Sequence, residues 1–280
     1  MMIKQPNQTR INEQQDDSLT GVKSAPTPAS KTPVVYALNW TQDRPDPRDY
    51  IYQATSPIRP VNSVDLRQYC TAVEDQGQLG SCTGNAIAGA IELLDKRAGK
   101  VTDVSRLFIY YNERLLEGTV RTDSGAYIRD GLKVVNQQGA PLESLWTYDI
   151  RKFATQPSAA AYADAQRRRV SKYERCSDFN AVIAALTAGN PVVVGFLVYS
   201  SFYYIGANGL MPYPNVNRER LLGGHAVCLV GYDKTRNIFI ARNSWSAYWG
   251  DRGYFYMPFQ VIQNPQMSSD FWTMSMVANP

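Results

Sequence analysis

Histidine is almost missing from this 280-residue chain, which carries one, His225. Cysteine is scarce as well, with four residues at positions 70, 82, 176 and 228. Four scattered thiols are too few for a disulfide-dense scaffold, and none has the Cys-x-x-Cys spacing of a metal site, so no metal is expected. Whether Cys70 and Cys176 pair is open on spacing alone; free thiols, and with them a reducing compartment, are the expectation. No stretch approaches the roughly 20 apolar residues of a membrane span. The longest apolar run, Val192 to Val198, has a strand's length. The first residues lack the apolar core of a secretory signal, which is compatible with a cytoplasmic protein or with export by a non-classical route. A net charge of +4 without a concentrated basic stripe argues against a nucleic-acid partner. Arg167-Arg168-Arg169 ends an alanine-rich stretch and reads as a solvated helix end.

What is present centres on Asp75-Gln76-Gly77-Gln78-Leu79-Gly80-Ser81-Cys82. Gly77 and Gly80 permit a turning loop. From Cys82 onward Ala86, Ile87, Ala90, Ile91 and Leu94 recur at helical spacing, so the loop delivers a cysteine to the first turn of a buried helix. Unsatisfied N–H groups and the positive end of the helix dipole favour a thiolate there, and the thiolate is the nucleophile. A buried structural cysteine under a helix cap is the competing reading. Gln76 lies six residues upstream, within reach of whatever Cys82 attacks.

His225 sits in the glycine-bounded apolar run Gly223-Gly224-His225-Ala226-Val227-Cys228, the pattern of a buried strand. A second strand, Ile238 to Ala241, follows a turn-like Asp233–Asn237 and leads into Asn243-Ser244-Trp245. A hairpin would bring His225 and Asn243 together at the strand ends. An amide oxygen on one ring nitrogen then fixes the tautomer and leaves the other for the thiol, which is a nucleophile, base and orienter written as Cys, His and Asn.

These blocks resemble a papain-like (family C1) cysteine peptidase, closest to its microbial branch. Gln76-Gly77 through Ser81-Cys82, Gly224-His225-Ala226-Val227 and Asn243-Ser244-Trp245 stand in the family's order, and Tyr248 to Phe255 continues as its C-terminal strand does. The gap of 143 residues from Cys82 to His225 falls within the family's range of about 130–150, while the 161 to Asn243 runs slightly past it. Departures are Leu79 in place of a disulfide-forming cysteine, Thr83 in place of an aromatic, Gly224 in place of Asp or Asn, and Ser246 in place of glycine.

The resemblance implies an α+β, papain-like fold, with a mainly helical half (about 61–145) facing a β-barrel-like half (about 146–280). It implies Cys82, His225 and Asn243 as catalytic residues, Gln76 as oxyanion donor and Trp245 as a shield. Gly125 and Tyr127, in the matching substrate loop, and Gly224 are candidate substrate-binding residues, with Tyr127 bordering the pocket for the residue two before the scissile bond. No cofactor is implied. The substrate is a polypeptide bound extended. An amidase, isopeptidase or acyl transferase on the same fold, and a non-catalytic cleft, are the rival readings.

Residues 1–33 have the composition of a disordered tail. From 34 to 60 prolines alternate with Trp40, Tyr50, Ile51 and Tyr52, which predicts an extended segment docked on the domain, as an inhibitor across the cleft or as a brace on the back. Further along, helices are expected over 104–117, up to Gly139, over 158–170 and over 178–189, and a buried strand over 192–198.

Overall fold

The structure is a computed structural model, and it describes residues 36–54 and 61–276. The expected tail, 1–33, lies outside the described residues, as do 34, 35 and 55–60. Three helices carry the nucleophile's half. The first, α1 (Cys82–Arg97), is buried along almost its whole length. Gly84 lets it approach α2 (Arg106–Glu117) closely, because a side chain there would run into the Arg106 carbonyl. Ser105 caps α2 by accepting from the Phe108 N–H at 3.2 Å, and Gly118 ends it in the left-handed conformation. The third, α3 (Ile128–Gln137), buries Ile128, Leu132, Val134 and Val135 on one face.

The other half is an antiparallel sheet. Its strands are β2 (Val170–Arg175), β3 (Val192–Tyr199), β4 (Leu221–Asp233), β5 (Ile238–Arg242), β6 (Tyr254–Pro258) and β7 (Ser268–Met276), in the order β2-β7-β3-β4-β5-β6. A short β1 (Ser63–Asp65) pairs with the far end of β4. The valine-rich β3 is buried on both faces. The expected β4–β5 hairpin is present, with Cys228 opposite Arg242, so that Asn243 emerges just beyond the pairing. Helices α5 (Phe179–Thr187, capped by Asp178) and α6 (Phe259–Gln263) complete this half. One expectation fails. The 158–170 helix is only α4 (Ala159–Ala165), and Val170 already begins a strand that pairs with β7. The alanines of 159–165 favour helix, but the arginine run that follows lies outside it.

Residues 36–54 are extended and docked on the domain. Their far end joins the sheet, where the Tyr52 N–H donates to the Arg175 carbonyl (2.9 Å) and the Arg175 N–H to the Tyr50 carbonyl (2.7 Å). Arg175 also clamps three carboxylates: Asp43 (3.0 Å), Asp49 (3.0 Å) and Asp270 (3.2 Å). The Asp43 side chain is wholly buried and also accepts from Trp272 Nε1 at 2.8 Å. Burial, together with the nearby Asp270 charge, holds its carboxyl up at about 6. Removing it takes one of three carboxylates from the half-buried Arg175 and leaves the buried Trp272 indole N–H and the Arg129 N–H without that acceptor. Asp43→Ala is therefore expected to lower unfolding free energy by about 1–3 kcal/mol, read from denaturant titration. A loss under about 1 kcal/mol would mean that the clamp is not structural.

Candidate active site

The thiol of Cys82 opens α1 and is completely buried. The backbone N–H groups of Thr83, Ala226 and Asn39 lie beside it, so strand β4 meets the helix start at the residue following His225. His225 is buried too, and its Nε2 is 2.8 Å from Asn243 Oδ1. Its Nδ1 has no partner among the described residues. The Asn243 oxygen also accepts from the Ser244 N–H (2.9 Å), which fixes the amide's orientation. Trp245 packs its ring 5.1 Å from the imidazole, and Phe202 and Trp249 meet Trp245 edge-on.

Gln76 is held from both ends. Its Oε1 accepts from Ser244 Oγ (2.6 Å), its N–H donates to the Ser244 carbonyl (2.8 Å), and its carbonyl accepts from Tyr148 Oη (2.9 Å). Its Nε2 donates to the Leu79 carbonyl (3.0 Å) and to the Ala37 carbonyl (3.3 Å). The second of these belongs to the N-terminal segment, which crosses the site. Tyr36 stacks on Trp245, with centroids 4.4 Å apart. Asn39 donates to the Asp123 carbonyl (3.0 Å), and the Trp40 N–H donates to the Gly224 carbonyl (3.0 Å). The Trp40 ring fills a slot against β3, where a Cβ on Gly195 would lie 1.9 Å from it.

This cover changes the electrostatics expected from the helix dipole. Burial pushes the Cys82 thiol up to about 12 and His225 down to about 4, so both are neutral under the segment. A helix start offers partial charge, but loss of water outweighs it while the site is closed.

Two of the three candidate substrate contacts depart from expectation in detail. Gly125, with φ +72°, makes the closest approach, since a Cβ there would overlap the Asn39 carbonyl. Its N–H, however, donates to Tyr110 Oη (3.1 Å), and the pairing with the segment passes to Ala126, whose carbonyl accepts from the Thr41 N–H (3.4 Å). Tyr127 precedes α3 and lines a hollow with Thr41, Arg44 and Glu117, beyond the Trp40 slot. Gly224 does pair with the segment as a backbone acceptor.

Comparison with known proteins bears on this geometry. Residues 60–273 match the profile described as papain family cysteine protease. The chain belongs to that family. The papain-family chain is 37% identical over 275 residues to an uncharacterized peptidase C1-like protein of Acanthamoeba polyphaga mimivirus, covering 87% of this chain and 88% of the relative. It is 38% identical to xylellain, a cysteine protease from Xylella fastidiosa, with a TM-score of 0.77 over 85% of this chain and 95% of the other. Cathepsin K of Gallus gallus is 27% identical, covering 78% of this chain and 64% of that protein. This papain-family protein is a hydrolase of the cysteine protease class with the α+β papain fold, as the sequence motifs implied.

Its departures from the family pattern have visible consequences. Leu79, in place of a cysteine, is buried against Leu107, Tyr110 and Ala126, so packing replaces a covalent staple. All four cysteines are free and buried, and Cys70 and Cys176 lie in different core clusters. Thr83 sends its hydroxyl to Glu113 (2.6 Å), a carboxyl that burial pushes up to about 8 and so keeps protonated. Ser246, in place of glycine, is held at φ +63°. Left-handed backbone costs a non-glycine residue about 1–2 kcal/mol, so Ser246→Gly is expected to raise the melting temperature by about 2–4 °C. A fall on calorimetry would show that the serine's bond to the Tyr248 N–H (3.1 Å) outweighs the strain.

Sequence reasoning missed Ser244 as the clamp on Gln76, and Tyr203, whose hydroxyl donates to the Tyr36 carbonyl (3.0 Å). Ser244 was visible within the Asn-Ser-Trp block. Tyr203 had no local signal, because it stands in a loop recognisable only by its Gly, Asn, Pro and Tyr content.

Proposed function

We propose that this cysteine protease cleaves peptide bonds with Cys82 as nucleophile, His225 as proton carrier, Asn243 as orienter and Gln76 as oxyanion donor. The observation that carries this reading is the 2.8 Å bond from His225 Nε2 to Asn243, which leaves Nδ1 unpaired, while the N–H of the next residue, Ala226, lies beside the Cys82 thiol. Once the cleft is open, Sγ gives its proton to His225 and attacks the substrate carbonyl carbon. The resulting oxyanion is met by Gln76 Nε2 and the Cys82 N–H, which has no partner inside the first helical turn. Collapse breaks the C–N bond, and His225 hands its proton to the departing amine. Water, deprotonated by His225, then cleaves the thioester and restores the thiol. Trp245 keeps bulk water off the His225–Asn243 bond.

The N-terminal segment acts as inhibitor and brace together. Residues 36–40 take the oxyanion donor and the backbone acceptor of Gly224, while 43–52 are tied to Arg175. The segment enters beside Trp245 and leaves along Gly224 and Ala126 in parallel pairing. If the substrate's acyl side lies along Gly224 and Ala126, this direction is the reverse of a productive one. The Ala37 carbonyl then sits by the oxyanion donor with its acyl chain on the leaving side, and the segment is not cut. Labelling of the full chain with an irreversible peptidyl epoxide tests the assignment. One adduct per chain, on Cys82 by peptide mapping, is expected; adducts on any other residue, or none after prolonged incubation, would refute it.

A further inference from the structure

The leaving side of the cleft carries a built aromatic site. Trp245 is 1% exposed, and its ring is fixed by Phe202 and Trp249, each 5.2 Å away and near perpendicular. Tyr203, from the turn after β3, lies against the same indole with centroids 5.1 Å apart and planes 28° apart. Onto this platform the segment lays Tyr36, almost coplanar with Trp245 at 4.4 Å and 5°. Three further contacts give the cradle polar ends: Tyr36 Oη donates to the Trp245 carbonyl (3.3 Å), Tyr203 Oη donates to the Tyr36 carbonyl (3.0 Å), and the Asp75 carboxylate lies beside the Tyr36 hydroxyl. Rings already locked by packing lose little freedom on accepting another ring, and stacked aromatic pairs add to simple burial.

The position of this cradle relative to the chemistry follows from the neighbouring residue. The Ala37 carbonyl meets Gln76 Nε2 and Trp40 lies against Gly224 and Gly195; in the peptidase reading, with Gln76 as oxyanion donor, Gly224 borders the acyl side of the substrate. Tyr36 therefore sits on the opposite side, where the departing amine and its first side chain would lie.

Resting on the peptidase reading above, we infer that Trp245 and Tyr203 form a specificity site for an aromatic side chain, tyrosine above all, on the first residue after the scissile bond. The segment's Tyr36 occupies it as an internal occupant. The Trp245 carbonyl and Asp75 accept the phenolic hydroxyl, and Tyr203 packs beside the ring on the Trp245 indole.

The test uses the full chain carrying Tyr36→Ala, which vacates the cradle. Internally quenched peptides differing only in the first residue after the cut (Tyr, Phe, Ala or Asp) are compared by kcat/KM. Tyr is expected to exceed Ala by about tenfold, with Phe between them and Asp lowest. Adding Tyr203→Ala should bring the Tyr-to-Ala ratio below about threefold, while Tyr203→Phe, which keeps the ring, should preserve most of it. Equal rates for Tyr and Ala, or a ratio untouched by Tyr203→Ala, would overturn the inference while leaving the peptidase reading standing. A collapse of the ratio in Tyr203→Phe as well would also overturn it, since the ring would not be the determinant. If the epoxide labels Cys82 yet no peptide is cut, the peptidase reading itself fails and this inference falls with it.

Discussion

Cys82→Ala is expected to abolish peptide hydrolysis, by about a millionfold in kcat, while the melting temperature stays near that of the parent chain. The residue is fully buried at the helix start, but alanine removes only one sulfur and leaves the N-terminal turn intact. His225→Ala should cost nearly as much, because nucleophile and base act as one unit and neither works alone. Asn243→Ala should cost at least about tenfold less, since its carbonyl orients the ring without touching the reacting atoms. The measurement is made in the full chain with the segment loosened, so that rates report chemistry rather than access. More than about one percent residual activity in Cys82→Ala would remove the nucleophile assignment.

Loosening the segment should have the second-largest effect. In the covered chain burial holds the thiol at about 12 and His225 at about 4, so neutral forms persist across the neutral range. Alkylation of Cys82 by iodoacetamide is then slow and should climb about tenfold with each pH unit between 7 and 10, as thiolate accumulates below its pKa. Tyr36→Ala with Trp40→Ala removes the two rings that seat the segment on Trp245 and in the Gly195 slot. Water returns, the thiol falls toward or below the ordinary 8.5, and alkylation at pH 7 should rise by more than about a hundredfold. Its pH dependence should also flatten above neutrality. A large drop in melting temperature with unchanged alkylation would instead make the segment a brace alone. An unchanged rate and an unchanged melting temperature would deny it both roles.

The candidate site could be read because its residues stand in short contiguous blocks. Cys82 follows a glycine loop, His225 stands in a glycine-bounded strand, and Asn243 follows the second strand of a hairpin; local pattern and tertiary position coincide at each. Fold class was legible for the same reason, since the β3 valines and the Ala/Ile spacing of α1 have unambiguous periods. The path of residues 36–40 was not. Its decisive contacts run through main-chain atoms of Ala37, Trp40, Gly224 and Ala126, and these look the same in any sequence. Trp40 announced that it would be buried but not where, because its slot exists only where Gly195 and Gly224 come together on paired strands. The shortness of α4 escaped for a related reason. Alanine favours helix everywhere, and the pairing of Val170–Arg175 with β7 is a long-range choice no window of residues contains.

The Arg175 clamp has a consequence for how such an enzyme would respond to its surroundings. Pinned at Asp43 and Asp49, residues 36–40 are on a leash a few residues long, and a ligand so tethered competes at an effective concentration of the order of millimolar. Dilution does not weaken that competition, since both partners are one molecule. A protein substrate at micromolar levels would therefore meet a closed cleft at any enzyme concentration, and closure would return after each opening without a second encounter. Turning the enzyme on is then a question of breaking the leash or its anchor, whereas adding more enzyme leaves the closed fraction unchanged and substrate competes only as it approaches millimolar levels.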